Sequence, residues 1–513
     1  MNSDKIVVFD TTLRDGEQAA GSRLGAKEKL EVAHQLARLN VDVMEVGFPI
    51  SSPEDFEAVR LISEEIEGPT ITGLSRAVAA DIDACGEALA KAKKARIHTG
   101  IGVSDIHIAG KFGDDKYGRT MAEKKQRILQ MSVEATKRAK GYTDDVEFYA
   151  EDSGRADRAY LFEIVEAVIE AGATVINIPD TTGYAVPDQF GALIRDLREH
   201  VPNIGQATIS VHCHNDLGMA VANTLAGVKN GARQVECTIN GIGERAGNAA
   251  LEEVVMGLRT RRDCFGVDSD VHAKELYRTS RMVADVLGMI VPSNKAIVGA
   301  NAFAHSSGIH VDGFLKARET YEIIRPEDVG FPQSRVILTA RTGRHGLRHR
   351  LEEMGYELSS EELEKTYTRF LLVADKKQEV FDEDLIAIVR DEIHPVPETY
   401  RLEYLHTSSG TGTIPTATVR IRIGDETLQA ATCGDGPVDA TYKAIQEVVP
   451  LKVKVSEYTI RAVTSGAEAM GEVTVRLERD GEITIGRGAS TDIIEASAKA
   501  YIDGLNKLAA RRK

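Results

Sequence analysis

Eight short runs of apolar, mostly β-branched residues punctuate the first half of the chain. They are IVVF (6–9), VMEVG (43–47), TITGL (70–74), IHTGIGV (97–103), VEFYA (146–150), TVINI (174–178), TISVH (208–212) and QVECTI (234–239). Between them lie longer stretches with helix-like periodicity, such as KEKLEVAHQLARL (27–39), AYLFEIVEAVIEAG (159–172) and MAVANTLAGVKNG (219–231). Several close on Gly, which lacks the Cβ that disfavours the left-handed conformation just past a helix end. Eight strand–helix units between residue 5 and about 262 predict a (β/α)8 TIM barrel. A doubly wound open sheet would carry a GxGxxG fingerprint in its first βα turn, and none is there.

The pattern then changes. Residues 275–395 are mixed, largely helical and charged, as in SSEELEKTYTRFLLVADK. The two prolines of EIHPVPETY (392–400) mark a boundary, because Pro resists continuation of a helix. Beyond it the chain repeats itself. Strand-like ATVRIRI (417–423) precedes CGDGPVDATYKAIQEV (433–448), and strand-like EVTVRLE (472–478) precedes GRGASTDIIEASAKAYIDGL (486–505). Each copy is expected to place a GxG turn before an Asp that N-caps a helix. The predicted organisation is a catalytic barrel at 1–274, a helical linker at 275–395 and an α+β domain of two ββ(β)α repeats at 396–513.

Composition narrows the partners. With 513 residues, the chain exceeds what one core usually organises, and 42% hydrophobic with 28% charged residues is ordinary for a folded soluble protein. The formal net charge of −16 argues against nucleic acid or an anionic membrane as a general partner. An anionic substrate would need a local basic site. No signal peptide and no apolar run of bilayer length is seen, so a cytoplasmic location is expected. Cys85, Cys213, Cys237, Cys264 and Cys433 are odd in number and scattered, which predicts reduced, mostly buried thiols.

Candidate chemistry lies at the strand ends, where βα loops of a barrel build the site. The first strand is followed by DTTLRDGEQ, with Arg14 and Asp15. The seventh runs into HCHNDLG, whose His212 and His214 share one side of a strand because side chains alternate. The eighth leads to NGIGERAGN, offering Asn240, Glu244 and Asn248 on a Gly-rich loop. Asp, two His and an amide oxygen suit Zn²⁺, Mn²⁺, Mg²⁺ or Co²⁺ and leave positions open for substrate oxygens. Such an ion would polarise a carbonyl, and Arg14 would stabilise the alkoxide formed on attack.

FDTTLRDGEQ (9–18), VDVMEVGFPISSPEDF (41–56), INIPDTTGY (176–184), SVHCHNDLGMAVANTLAG (210–227), NGIGERAGNAALEEV (240–254) and NKAIVGANAFAHSSGIHVDG (294–313) together resemble the 2-isopropylmalate synthase family, bacterial type. The resemblance covers essentially the whole chain, including the duplicated C-terminal domain, which is similar to that family's leucine-binding regulatory domain. It implies that Asp15, His212, His214 and Asn248 are metal ligands and that Arg14 polarises the carbonyl. It implies a role in substrate binding or proton handling for Glu147, read as the end of the fifth strand, and substrate contacts for His98 and Thr181. His310 and Tyr321 would reach the partner subunit's site from the linker.

The implied reaction is a Claisen-type condensation of acetyl-CoA with 2-oxoisovalerate followed by thioester hydrolysis. His310, oriented by Tyr321, is the favoured base, with Glu147 the alternative. The resemblance also implies K⁺ as an activator, leucine as inhibitor, and a homodimer or tetramer. Leucine's carboxylate would meet the helix N-termini near Gly434, Gly436 and Asp439 and near Gly486, Gly488 and Asp492. Citramalate synthase, using pyruvate, is the nearest competitor. HMG-CoA lyase, whose family also carries DTTLRDG, is disfavoured because GIGERAGN lacks the catalytic Cys that family has in this loop. A non-catalytic leucine sensor is disfavoured by the intact Asp15, His212, His214, Asn248 and Arg14 set.

Overall fold

A computed structural model of the chain describes residues 5–332, 335–375, 380–393, 398–462, 471–479 and 482–510. The eight apolar runs all form strands: β1 Val7–Asp10, β2 Val43–Glu45, β3 Thr70–Arg76, β4 Ala95–Gly102, β5 Asp145–Glu151, β6 Val175–Asp180, β7 Thr208–Cys213 and β8 Gln234–Cys237. Each pairs in parallel with the next, and β8 closes on β1 with Phe9 opposite Glu236, giving the expected closed barrel. Helices cover the outside. Pro187–His200, for example, buries Phe190, Leu193, Ile194 and Leu197, each contributing about 1.5–3 kcal/mol by leaving water. Asn40, at φ 63°, ends the helix Ala26–Leu39, while Gly172 and Gly231 follow theirs at φ 113° and 116°, as their positions in the sequence suggested.

The apolar core lies between strands and helices, whereas the barrel's own interior is polar. Glu45, Arg96, His98, Glu147, Asn177, Ser210, His212, Gln234 and Glu236 are all buried. They hydrogen-bond between strands that are not neighbours, Glu45 of β2 to His98 of β4 and Arg96 of β4 to Gln234 of β8, so they point inward. A barrel interior is ordinarily filled with branched apolar residues. Polar groups there cost free energy unless paired, which directs attention to what they support.

The backbone forms two compact units. The first runs through the barrel to Ala304 and takes up Glu322–Arg335; the second holds His305–Tyr321 and the chain from Val336 on. In the second, the helical character expected of the middle segment is present in Gly308–Lys316, Arg344–Glu353, Ser360–Ala374 and Asp382–Ile393. Leu347, Leu351, Phe370 and Leu385 form a small core there. Residues 394–397 of the Pro-rich boundary lie outside the described residues.

The repeat is two βββα units. Strands β9 Tyr400–Ser408, β10 Thr416–Ile423 and β11 Glu426–Cys433 precede the helix Pro437–Val448; β12 Lys454–Ala462, β13 Gly471–Arg479 and β14 Glu482–Ser490 precede the helix Ile493–Ala510. Both units share one core containing Val419, Ala444, Val475 and Tyr501. Two details differ from expectation. Gly436, not Asp439, occupies the cap position of Pro437–Val448; Asp439 sits in the first turn, accepting from the Asp435 N–H at 2.9 Å. In the second copy the GxG is no turn. Gly486 and Gly488 lie inside β14, where an added Cβ would stand 2.0 Å from the Ala500 carbonyl oxygen and 2.3 Å from that of Ala496. Glycine here lets the helix approach the sheet. Asp492 does cap that helix, its Oδ1 accepting from Ile494 N–H at 2.8 Å.

Among the described residues no helix is long and apolar enough to cross a membrane. All five cysteines are free thiols; Cys85, Cys213 and Cys237 are buried, while Cys264 and Cys433 are exposed.

Candidate metal centre and active site

The turn after β1 is wound tightly. The Thr11 carbonyl accepts from Arg14 N–H at 3.1 Å, Asp15 at 2.9 Å and Gly16 at 3.0 Å, which turns Asp15 over the barrel mouth. Arg14 spans two carboxylates, Nε on Glu45 at 2.6 Å and Nη1 on Asp15 at 2.8 Å. His212 and His214 leave the end of β7 with the expected i, i+2 spacing, and their Nε2 atoms lie 3.2 Å apart. Asp15 Oδ2 is 3.8 Å from the first and 3.6 Å from the second. Asn248 is brought alongside by a bridge to His214, and its Nδ2 donates to Asp15 Oδ2 at 2.6 Å and to the Ile242 carbonyl at 3.0 Å. The loop that carries it needs left-handed backbone at Asn240 and Arg245, and at Gly247, where a Cβ would meet the Gly241 oxygen at 2.0 Å.

Four side chains from three separate stretches of the sequence therefore converge on one spot, and their chemistry fits a divalent cation. Asn248 Oδ1 is buried without a hydrogen-bond partner, because both Nδ2 contacts fix the amide with its oxygen free. Burial pushes His212 and His214 down to about 4, so both imidazoles are neutral and able to offer a lone pair. For Asp15, burial pushes the pKa up, but the Arg14 guanidinium, with the Asn248 N–H donor among the lesser contributions, outweighs it and holds the group below the usual carboxylate range. Asp15, His212 and His214 form a cluster of possible ligands, all buried.

The remaining candidates fall in different places. Thr181 follows β6 at the same mouth, where its Oγ1 accepts from Asp152 N–H at 2.9 Å and its carbonyl from Arg245 at 2.8 Å. His98 lies inside the barrel, its Nδ1 2.8 Å from Glu45. Glu147 is not at the end of its strand. It is the third residue of β5, near the barrel floor, where it accepts from Arg96 at 2.9 Å and Gln234 at 2.7 Å. Burial and the Glu236 carboxylate raise its pKa to about 8. The carboxylate that does end β5 is Glu151, paired with Lys111 at 2.6 Å. His310 and Tyr321 belong to the second unit, exposed, with ring centroids 4.3 Å apart. Sequence reasoning missed Glu45 and Glu236. An acidic residue within an otherwise apolar strand, as in VMEVG and QVECTI, was the available signal.

Comparison with known proteins matches three successive stretches of the chain. Residues 5–283 match the HMGL-like family, 297–378 the homocitrate synthase post-HMGL domain-like family, and 379–509 the LeuA allosteric (dimerisation) domain. The 2-isopropylmalate synthase of Heliobacterium modesticaldum is 53% identical over 506 residues, covering 99% of this chain and 97% of that one. That of Pelotomaculum thermopropionicum is 53% identical over 507 residues, 99% of each, and that of Pyrococcus furiosus 52% identical over 505 residues, 98% and 99%. With an HMGL-like region over half its length and such relatives along nearly all of it, this chain belongs to the 2-isopropylmalate synthase family.

Proposed function

We propose that this protein joins the acetyl group of acetyl-CoA to 2-oxoisovalerate and hydrolyses the thioester, releasing 2-isopropylmalate and CoA, with leucine as inhibitor. The observation that carries the reading is the convergence of Asp15, His212, His214 and the unpartnered Asn248 Oδ1 beside Arg14, on a chain of this family. A Mn²⁺, Mg²⁺, Zn²⁺ or Co²⁺ ion held by these four supplies Lewis-acid polarisation of a carbonyl. The Arg14 guanidinium, fixed by Glu45 and Asp15, stabilises the alkoxide that develops on the 2-oxo acid. His310 takes the proton from the acetyl methyl group, oriented by the neighbouring Tyr321 ring. The carbanion forms the new C–C bond, and water then cleaves the thioester, leaving the thiol of CoA. His98 and Thr181 contact the substrate. His310 and Tyr321 serve the site of a second subunit in a homodimer, K⁺ acts as an activator, and the reaction proceeds in the cytosol.

Leucine binds the C-terminal repeat. Its support is a cleft of about 610 Å³ in that domain, bordered by Gly436, Pro437, Asp439, Tyr442, Val455 and Tyr458. The first-copy residues Gly436 and Asp439 thus face a space with both polar and aliphatic walls. The test is release of free thiol by the purified Mn²⁺-loaded protein with acetyl-CoA and 2-oxoisovalerate, pyruvate or 2-oxoglutarate. Fastest release with 2-oxoisovalerate is expected; no release with any of them would reduce the chain to a sensor.

A further inference from the structure

The two histidines of the centre are alike in sequence but not in support. His214 Nδ1 is buried without a hydrogen-bond partner. His212 Nδ1 lies 3.0 Å from Glu236 Oε2. Glu236, on β8 opposite His212 in the register, is fully buried, and its Oε1 accepts the Ser210 hydroxyl at 2.9 Å. The ladder continues downward: Gln234 Nε2 donates to Ser210 Oγ at 2.9 Å, and Gln234 Oε1 accepts from Arg96 Nη1 at 2.8 Å. Arg96 is anchored in turn by Asp145 at 2.9 Å and Glu147 at 2.9 Å. An unbroken hydrogen-bonded chain thus runs from the barrel floor to a single ring nitrogen.

A neutral imidazole carries one N–H, and the acceptor nearest to it decides which nitrogen holds it. We propose that Glu236 is a positioning residue for the metal centre: it accepts the Nδ1 proton of His212 and so leaves Nε2 free for the cation, while Ser210, Gln234 and Arg96 hold it in place from below. Burying a carboxylate costs several kcal/mol unless it is well partnered, and Glu236 is partnered on both oxygens by groups that lead to His212 or brace against it. A carboxylate on the far side of a ligating His also raises its basicity, and removing such a partner typically weakens metal binding about 10- to 100-fold. The asymmetry makes His212 the oriented ligand and His214 the one that the ion itself must orient. The inference rests on the reading of Asp15, His212, His214 and Asn248 as ligands.

The test uses the full chain stripped of metal and titrated with Mn²⁺, free ion being read by electron paramagnetic resonance. His212→Ala tests the ligand set; Glu236→Gln, Glu236→Ala and Ser210→Ala test the support. Expected dissociation constants rise about 10-fold for Glu236→Gln, whose amide oxygen still accepts the proton, and about 100-fold for Glu236→Ala, with a smaller rise for Ser210→Ala. In Zn²⁺-loaded protein with ¹⁵N-histidine, the far-downfield Nδ1–H resonance of His212 should be present in the parent and lost in Glu236→Ala. Normal Mn²⁺ affinity in His212→Ala would overturn the ligand set. Loss there with parental affinity in Glu236→Gln and Ser210→Ala, two substitutions that keep most of the packing, would overturn the role of Glu236 alone.

Discussion

Glu147 invites a perturbation whose sign and size follow from its surroundings. Its carboxyl is wholly buried among Arg96, Gln234 and Glu236, and burial together with the Glu236 charge raises its pKa from 4.5 to about 8. Between those values the folded chain holds a proton that the unfolded chain has released. Its contribution to stability is therefore fully present below pH 4.5 and is lost as the pH rises to about 8. At 1.36 kcal/mol per pH unit, the loss across the window comes to about 5 kcal/mol. Glu147→Gln keeps the shape and one of the two acceptor oxygens and cannot ionise. In metal-free protein the stability of the variant relative to the parent should rise steadily from pH 4.5 toward pH 8. Because two units need not unfold together, the readout is hydrogen exchange of the barrel amides of β4, β5 and β8, followed by mass spectrometry at a series of pH values. Parallel pH profiles for parent and variant would refute the assignment of a buried proton to Glu147.

Arg14→Lys replaces a fork that reaches both Glu45 and Asp15 by a single ammonium, so turnover should fall about 100-fold with little change in the Michaelis constant; steady-state kinetics showing only a raised Michaelis constant would make the contact one of ground-state binding. Gly488→Val places a side chain against the backbone of Ala496 and Ala500, so the helix Ile493–Ala510 should lift from β14 at a cost of about 1–3 kcal/mol or more, and leucine inhibition should weaken with it. Unchanged exchange of that helix together with unchanged inhibition would contradict the packing.

The strands were legible because parallel strands covered on both faces need continuous β-branched runs, and TVINI or TISVH can hardly be read otherwise. That His212 and His214 share one side of their strand was legible from period two, and Asp15 after the first strand was the second clue to a cluster there. The depth of a residue along its strand was not: VEFYA shows that Glu147 lies in β5 but not that the strand continues to Glu151, which puts Glu147 near the floor. The hydrogen-bonded interior was hidden for a related reason, since partners such as Arg96 and Gln234 are 138 residues apart and meet only when the barrel closes. GRGAS read as a turn because Gly more often serves turns than close helix–sheet contact; only the seating of Ala496 and Ala500 reveals the second use.

The pairing of β1 with β8 joins the beginning of the barrel to its end, and Asp15 and Asn248 stand in the loops that follow those two strands, already in contact. An ion gripped by both, as proposed, would be a clasp across that seam. Parting β1 from β8 would then require giving up the ion, so at a concentration 100 times its dissociation constant the clasp would hold the seam by about 2.7 kcal/mol beyond the protein's own contacts. Chelation should accordingly loosen the ring at one place first, between its first strand and its last, before the seven other pairings begin to yield.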